Sequence, residues 1–200
     1  LTLYTRYGSI TAFNRDPNTF SFNNQPFSFY FEFPLIDILT TPIRGFDLTN
    51  KLIPVLYSDT WGDYWGYFVL RAGGLNTNFD IVPYLGRVNL VSLIPTMLML
   101  FGIFFTIFNF KHLNFEQKIF YYIISFCILF TWIGYLWFLI KYPNLGYGDT
   151  IKATYILSLI QLLPFYLGNL MNKINKKNTL IYKTIFLFLI AVSAHNLPVL

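Results

Sequence analysis

Val88-Asn-Leu-Val-Ser-Leu-Ile-Pro-Thr-Met-Leu-Met-Leu-Phe-Gly-Ile-Phe-Phe-Thr-Ile-Phe-Asn-Phe110 runs for twenty-three residues without a charged side chain. About twenty apolar helical residues cross the hydrocarbon core of a bilayer, so this run reads as a membrane span. Three more follow: residues 119–140, uncharged; residues 153–171, with Gln161 and Pro164 inside; and residues 180–200, with Lys183 near the start. The last is the weakest, because its clean stretch, 184–194, is eleven residues long. It crosses only if Lys183 snorkels and the segment continues to Leu200.

The composition agrees. Charged residues make up 12% of the chain and hydrophobic residues 55%, with a mean hydropathy of +0.50. Soluble domains carry about 25% charged residues, so half the usual polar surface is missing. The deficit is concentrated beyond residue 88, where the acids are Glu116 and Asp149. A net charge of +5 gives no nucleic-acid signal, since the basic residues sit in short loops rather than on one patch. The single cysteine, Cys127, lies in an apolar run and is read as a small buried residue; no disulfide framework is available. The expected fold is therefore all-α and integral to the membrane. About four transmembrane helices (88–110, 119–140, 153–171 and 180–200) form a bundle over residues 88–200. They are preceded by an irregular, aromatic-rich extracytoplasmic segment, residues 1–87.

Orientation follows from loop charge. Residues 172–183 hold four lysines and no acid, which puts that loop on the cytoplasmic side. Alternation places 111–118 inside as well, and sends 141–152 and residues 1–87 outside, at a plasma (inner) membrane. Within that outer segment, Thr19-Phe-Ser-Phe and Ser28-Phe-Tyr-Phe-Glu-Phe33 alternate aromatics around Asn23-Asn-Gln-Pro26. A short hairpin is one reading and an irregular loop the other. Residues 33–39 suit a short helix or an amphipathic interfacial segment. The chain opens on Leu1 without a signal-peptide pattern and is read as the C-terminal part of a longer protein.

Candidate chemistry concentrates in Leu56-Tyr-Ser-Asp-Thr-Trp-Gly-Asp-Tyr-Trp-Gly-Tyr-Phe68. In an extended chain Asp59, Trp61, Asp63 and Trp65 share one face. In a helix Asp59 stacks on Asp63 and Trp61 on Trp65. Gly62 and Gly66 favour the irregular or extended course. Carboxylates beside indole faces suit a sugar, whose hydroxyls donate to carboxylates while its C–H face lies on the rings. An interfacial aromatic belt with turn-capping aspartates is the alternative.

Arg87, Lys152 and Asp149 form a second candidate. Asp149-Thr150 reads as a helix N-terminus whose positive end, with the two cations, would favour a lipid phosphate; ordinary snorkelling to headgroups is the alternative. Two aspartates four apart with no histidine nearby fall short of a metal set. No cofactor is predicted and a metal requirement is left open. His112 and His195 lack a nucleophile partner and read as interfacial. No charge occupies the middle of a span, which lowers the prospect of an ion-coupled transporter.

Arg6-Tyr-Gly-Ser-Ile-Thr-Ala-Phe-Asn14, Ile53-Pro-Val-Leu-Tyr-Ser-Asp-Thr-Trp-Gly-Asp-Tyr-Trp-Gly-Tyr-Phe68, Tyr84-Leu-Gly-Arg-Val-Asn89 and Gly148-Asp-Thr-Ile-Lys-Ala-Thr-Tyr155 occur in that order. Together they resemble the C-terminal half of prokaryotic multi-pass glycosyltransferases of the glycosyltransferase C superfamily, similar to dolichyl-phosphate-mannose–protein mannosyltransferases. The resemblance implies a membrane enzyme that moves a sugar from a polyprenyl-phosphate donor to a glycan, lipid or protein acceptor outside the cytoplasm. It also implies a catalytic aspartate in an N-terminal external loop to which no residue here corresponds, so the expected catalytic set within this chain is empty. The competing reading is a non-catalytic membrane module of polysaccharide assembly or export.

Overall fold

The computed structural model describes residues 19–40, 42, 48, 50–62, 81–143 and 150–197. Those residues are 85% helical and contain no strand. Three short helices come first: α1 (Phe27–Phe31), α2 (Leu35–Thr40) and α3 (Leu52–Trp61). Four long ones follow: α4 (Ile81–Phe108), α5 (Phe115–Lys141), α6 (Leu157–Lys177) and α7 (Thr179–Asn196). Single 3-10 turns occupy Phe22–Asn24, Phe110–His112 and Ala153–Ile156, the last running directly into α6.

All four long helices, α6 together with its leading 3-10 turn, are long and apolar enough to cross a membrane. At 1.5 Å per residue, the 28 residues of α4 span about 42 Å against a core of about 30 Å. Their ends are written locally. Asn114 and Gln117 make a reciprocal capping box at the head of α5, with Glu116 in its first turn and Lys141 in its last. Acid at the start and base at the end both complement the helix dipole. Asn178 ends α6 and caps α7, its Oδ1 accepting from the backbone N–H groups of Leu180 and Ile181. One residue thus reverses the chain.

The long helices alternate in direction, and α6 touches the other three. Its principal partner is α4, which runs parallel to it. A Cβ on Gly102 would stand 2.8 Å from the backbone of Tyr166, so the absence of a side chain lets the two helices meet. Small residues permit this close approach between membrane helices. One turn on, Asn169 Nδ2 donates to Thr106 Oγ1 at 2.9 Å. On the other side Tyr121 and Tyr166 pack ring to ring, and Ser125 shares a 2.8 Å hydrogen bond with the Tyr166 hydroxyl. From α7, Asn196 Nδ2 donates to Ser92 Oγ at 2.9 Å, and His195 accepts through its carbonyl from the Tyr84 hydroxyl.

The short helices gather at the end of the bundle where α4 begins, α5 ends and α6 begins. Phe29, Ile38, Leu48, Leu52, Val55 and Leu56 pack there with Tyr135, Leu139, Ile151 and Ile156 as one core. Asparagine and glutamine side chains tie the cap down. Gln25 Nε2 donates to the Leu139 carbonyl at 2.8 Å and Asn24 Nδ2 to that of Ile140 at 3.1 Å. Both carbonyls belong to the last turn of α5, where helix geometry leaves no internal donor.

Four expectations change. The alternating aromatics do not form a hairpin. Pro26 precedes α1, and Phe27 and Phe31, four apart, pack at 4.8 Å on its exposed side while Phe29 turns inward. A run with aromatics at every second position therefore also fits an i,i+4 helical pair. The motif is helical through Trp61 rather than extended, because Gly62 sits beyond the last turn as the C-cap. Finally, the first long helix starts at Ile81, seven residues before the uncharged run, with Arg87 on an exposed face. Cys127 is exposed on α5 rather than buried.

Overpacking the α4–α6 contact costs about 1–3 kcal/mol. Gly102→Val is therefore expected to lower the melting temperature in detergent micelles, followed by circular dichroism. Gly134→Ala, where an added Cβ meets nothing within 4 Å, should melt no lower than wild type. Equal melting of Gly102→Val and wild type would refute the pairing.

Candidate functional site

The capped end holds a polar cluster in apolar surroundings. Asn89, Ser92 and Thr96 fall at i, i+3 and i+7 on α4 and so form one stripe. The last two turns of α3 lie against it. Asn89 Nδ2 donates to Ser58 Oγ at 3.0 Å and to the Ile38 carbonyl at 2.9 Å, the latter another helix-end carbonyl, from α2. Tyr57 donates from its hydroxyl to the Asn89 carbonyl at 2.6 Å. Trp61 Nε1 donates to Thr96 Oγ1 at 2.9 Å, and that hydroxyl donates in turn to the Ser92 carbonyl at 2.8 Å. Gly86, one turn before Asn89, lies so close to α2 that an added Cβ would be 2.3 Å from the Leu39 carbonyl oxygen.

Asp59 and Trp61 stand together on the last turn of α3. Asp59 is 1% exposed and engaged by contacts of its own. A carboxylate this far from water requires compensation from its neighbours, and it is part of the packing between α3 and the bundle. Trp61 is half-buried against Leu85 and Val88. Asp63 and Trp65 lie outside the described residues. Asp59 and Trp61 are thus fixed at the point from which the rest of the motif departs.

Arg87 is exposed, its guanidinium 5.9 Å from the centre of the Tyr84 ring. Lys152 stands in extended backbone before the 3-10 turn, and its N–H donates to the Tyr135 hydroxyl at 2.8 Å. The two cations share the capped end but have different neighbours. Asp149 lies outside the described residues, and the helix start falls later than Asp149-Thr150 suggested. Lys152 is the N-cap residue, with no side-chain capping bond, and Thr150 Oγ1 is buried without a hydrogen-bond partner among the described residues. The 3-10 turn begins at Ala153, three residues after Thr150, and leads directly into α6.

His195 is half-buried, its Nδ1 2.9 Å from Asn196 Oδ1 and its ring against Tyr84; His112 is exposed at the opposite end. Among the described residues no three His, Cys, Asp or Glu side chains gather as a metal site. The α4 stripe and its partner Asn196 went unnoticed in the sequence. Three polar residues at helical spacing inside an uncharged span were the available signal.

Four membrane-crossing helices define a multi-pass membrane protein. Comparison with protein-family models, curated proteins and solved structures finds no match for the chain.

Burial pushes the Tyr57 phenol up from 10.0 to about 12, with the Thr96 hydroxyl offsetting part of the effect. A raised pKa in the folded state means that the stability this neutral hydroxyl contributes is complete below pH 10 and lost as pH climbs toward 12. A titration at 295 nm, wild type minus Tyr57→Phe, should show the missing phenol ionising near the upper value. Asn89→Leu leaves the Ile38 carbonyl and Ser58 without their donor, at about 1–3 kcal/mol for buried unsatisfied groups. It should melt well below wild type, whereas exposed Arg87→Ala should change stability by less than about 0.5 kcal/mol.

Proposed function

We propose that this chain is the C-terminal portion of a membrane glycosyltransferase that uses a polyprenyl-phosphate-linked sugar and works at the capped, extracytoplasmic end of its bundle. The observation that carries the reading is the anchoring of Asp59 and Trp61, the first half of the carboxylate–indole motif, against the first half of α4, with the Trp61–Thr96 hydrogen bond reaching that helix's midpoint. The resemblance of four stretches, taken in chain order, to multi-pass glycosyltransferases supports it. So does the lysine-rich α6–α7 turn at the other end, which favours a cytoplasmic location for that side.

In this reading Asp59 and Trp61 position the motif, and Asp63 and Trp65 contact the sugar. A carboxylate contributed from outside this chain takes the proton of the acceptor hydroxyl as its oxygen attacks the anomeric carbon. The bond to the lipid phosphate breaks, and the leaving phosphate gains charge. Exposed Arg87, with Lys152, stabilises that charge in the transition state.

Burial of Asp59 and the internal pairing of the α4 stripe favour a second reading, a non-catalytic module of polysaccharide assembly in which the cluster is purely structural.

In the intact protein, Asp63→Ala and Trp65→Ala should each lower sugar transfer about tenfold or more, the scale of losing an oriented polar contact, with normal membrane abundance. Asp59→Ala should instead lower the amount of folded protein. Arg87→Ala with Lys152→Ala should raise the KM for the lipid donor. Wild-type transfer by both motif variants would remove their role and leave the second reading. For topology, cysteine at position 87 should react with an impermeant maleimide in intact cells while cysteine at 176 stays protected; the reverse pattern inverts the bundle and rules out the site.

A further inference from the structure

The end of the bundle away from the cap contains a cavity of about 190 Å³ between the C-terminal ends of α4 and α6 and the head of α5. At about 30 Å³ per water it has room for a phosphate ester rather than a single solvent molecule. Its wall includes Lys173 and Lys176, one helical turn apart on α6, together with His112 and the amides of Asn109, Gln117 and Asn172. No carboxylate lines it among the described residues; Glu116 is exposed on α5 outside the wall. The chemistry is that of an anion site.

A second depression, about 400 Å³, adjoins it. Asn172 lines both. This groove runs along α6 and α7 from Asn175 and Tyr182 near the turn to Pro164 and Leu189 at mid-helix, with Leu167, Met171 and Phe186 as its apolar walls. A cationic, amide-rich pocket at a helix end that shares Asn172 with an apolar groove along the helices matches one kind of molecule in outline: an anionic headgroup followed by a hydrocarbon chain. A free phosphate would use the first cavity and leave the groove without a role.

We infer that this end of the bundle binds an anionic phospholipid, its phosphate held by Lys173 and Lys176 and one acyl chain lying in the α6–α7 groove. The site lies at the opposite end from the proposed sugar site and does not depend on that reading. The attraction of basic residues to anionic cytoplasmic lipid agrees with the orientation expected from the lysine-rich turn.

The test uses the whole chain in a neutral detergent, titrated with phosphatidylglycerol and read by native mass spectrometry for bound lipid and by thermal shift. Wild type should retain phosphatidylglycerol, and Lys173→Gln with Lys176→Gln should weaken it about tenfold or more, the scale of two surface charges. Lys111→Gln with Lys177→Gln removes the same charge from the same end outside the cavity and should weaken it far less. Gly168→Leu, which fills the groove where an added Cβ meets nothing within 4 Å, should also weaken lipid retention. Unchanged binding in the Lys173/Lys176 variant overturns the site. Equal loss in both double variants shows diffuse surface attraction and overturns it too. Inorganic phosphate displacing the lipid completely at equal concentration, with Gly168→Leu silent, would overturn the lipid assignment in favour of a free anion. Should the double variant melt below wild type without lipid, Lys176→Gln alone serves as the probe, with the same criteria.

Discussion

Carbonyl groups at the end of a helix have no partner within it, and an apolar setting leaves them nowhere to turn but to another side chain. At the capped end of this protein that requirement determines the arrangement. Asn24 and Gln25 reach the last carbonyls of α5, and Asn89 reaches one in the last turn of α2. Gly86 makes the last contact possible, since α2 could not come within reach of Asn89 if a side chain stood at position 86. The cap is held by amide donors seated on helix ends, with Phe29, Ile38 and Leu56 filling the space beneath.

The rest of the bundle follows the same logic at greater depth. Between apolar helices in lipid there is little hydrophobic gain from association, so close packing and interhelical hydrogen bonds carry it. Gly102 against Tyr166 provides the first, and Thr106–Asn169, Ser125–Tyr166 and Ser92–Asn196 the second. Helix α6 collects most of these contacts and is the element around which the others are arranged.

The spans were legible because charge-free runs longer than a bilayer core leave few alternatives. Their ends were less so. Arg87 marked a boundary in the sequence, yet a cation on an exposed helix face does not interrupt a helix, and α4 starts at Ile81. The short cap helices were hidden for a different reason: Phe27, Phe29 and Phe31 fit a two-residue period and an i,i+4 pair equally well, and Pro26 and Pro34 bound a segment in either state. Asp59 and Trp61 could be picked out as neighbours, but not the burial of the carboxylate, which depends on how α3 seats against α4. Asn89, Ser92 and Thr96 are uncharged, so their helical spacing inside the span leaves no mark on a charge pattern.

The four helices also differ in reach. With 18 residues, α7 extends about 27 Å, while the 27 residues of α5 extend about 40 Å. A longer helix shares a bilayer with a shorter one by leaning, so the difference in length between α5 and α7 implies unequal tilts across the bundle.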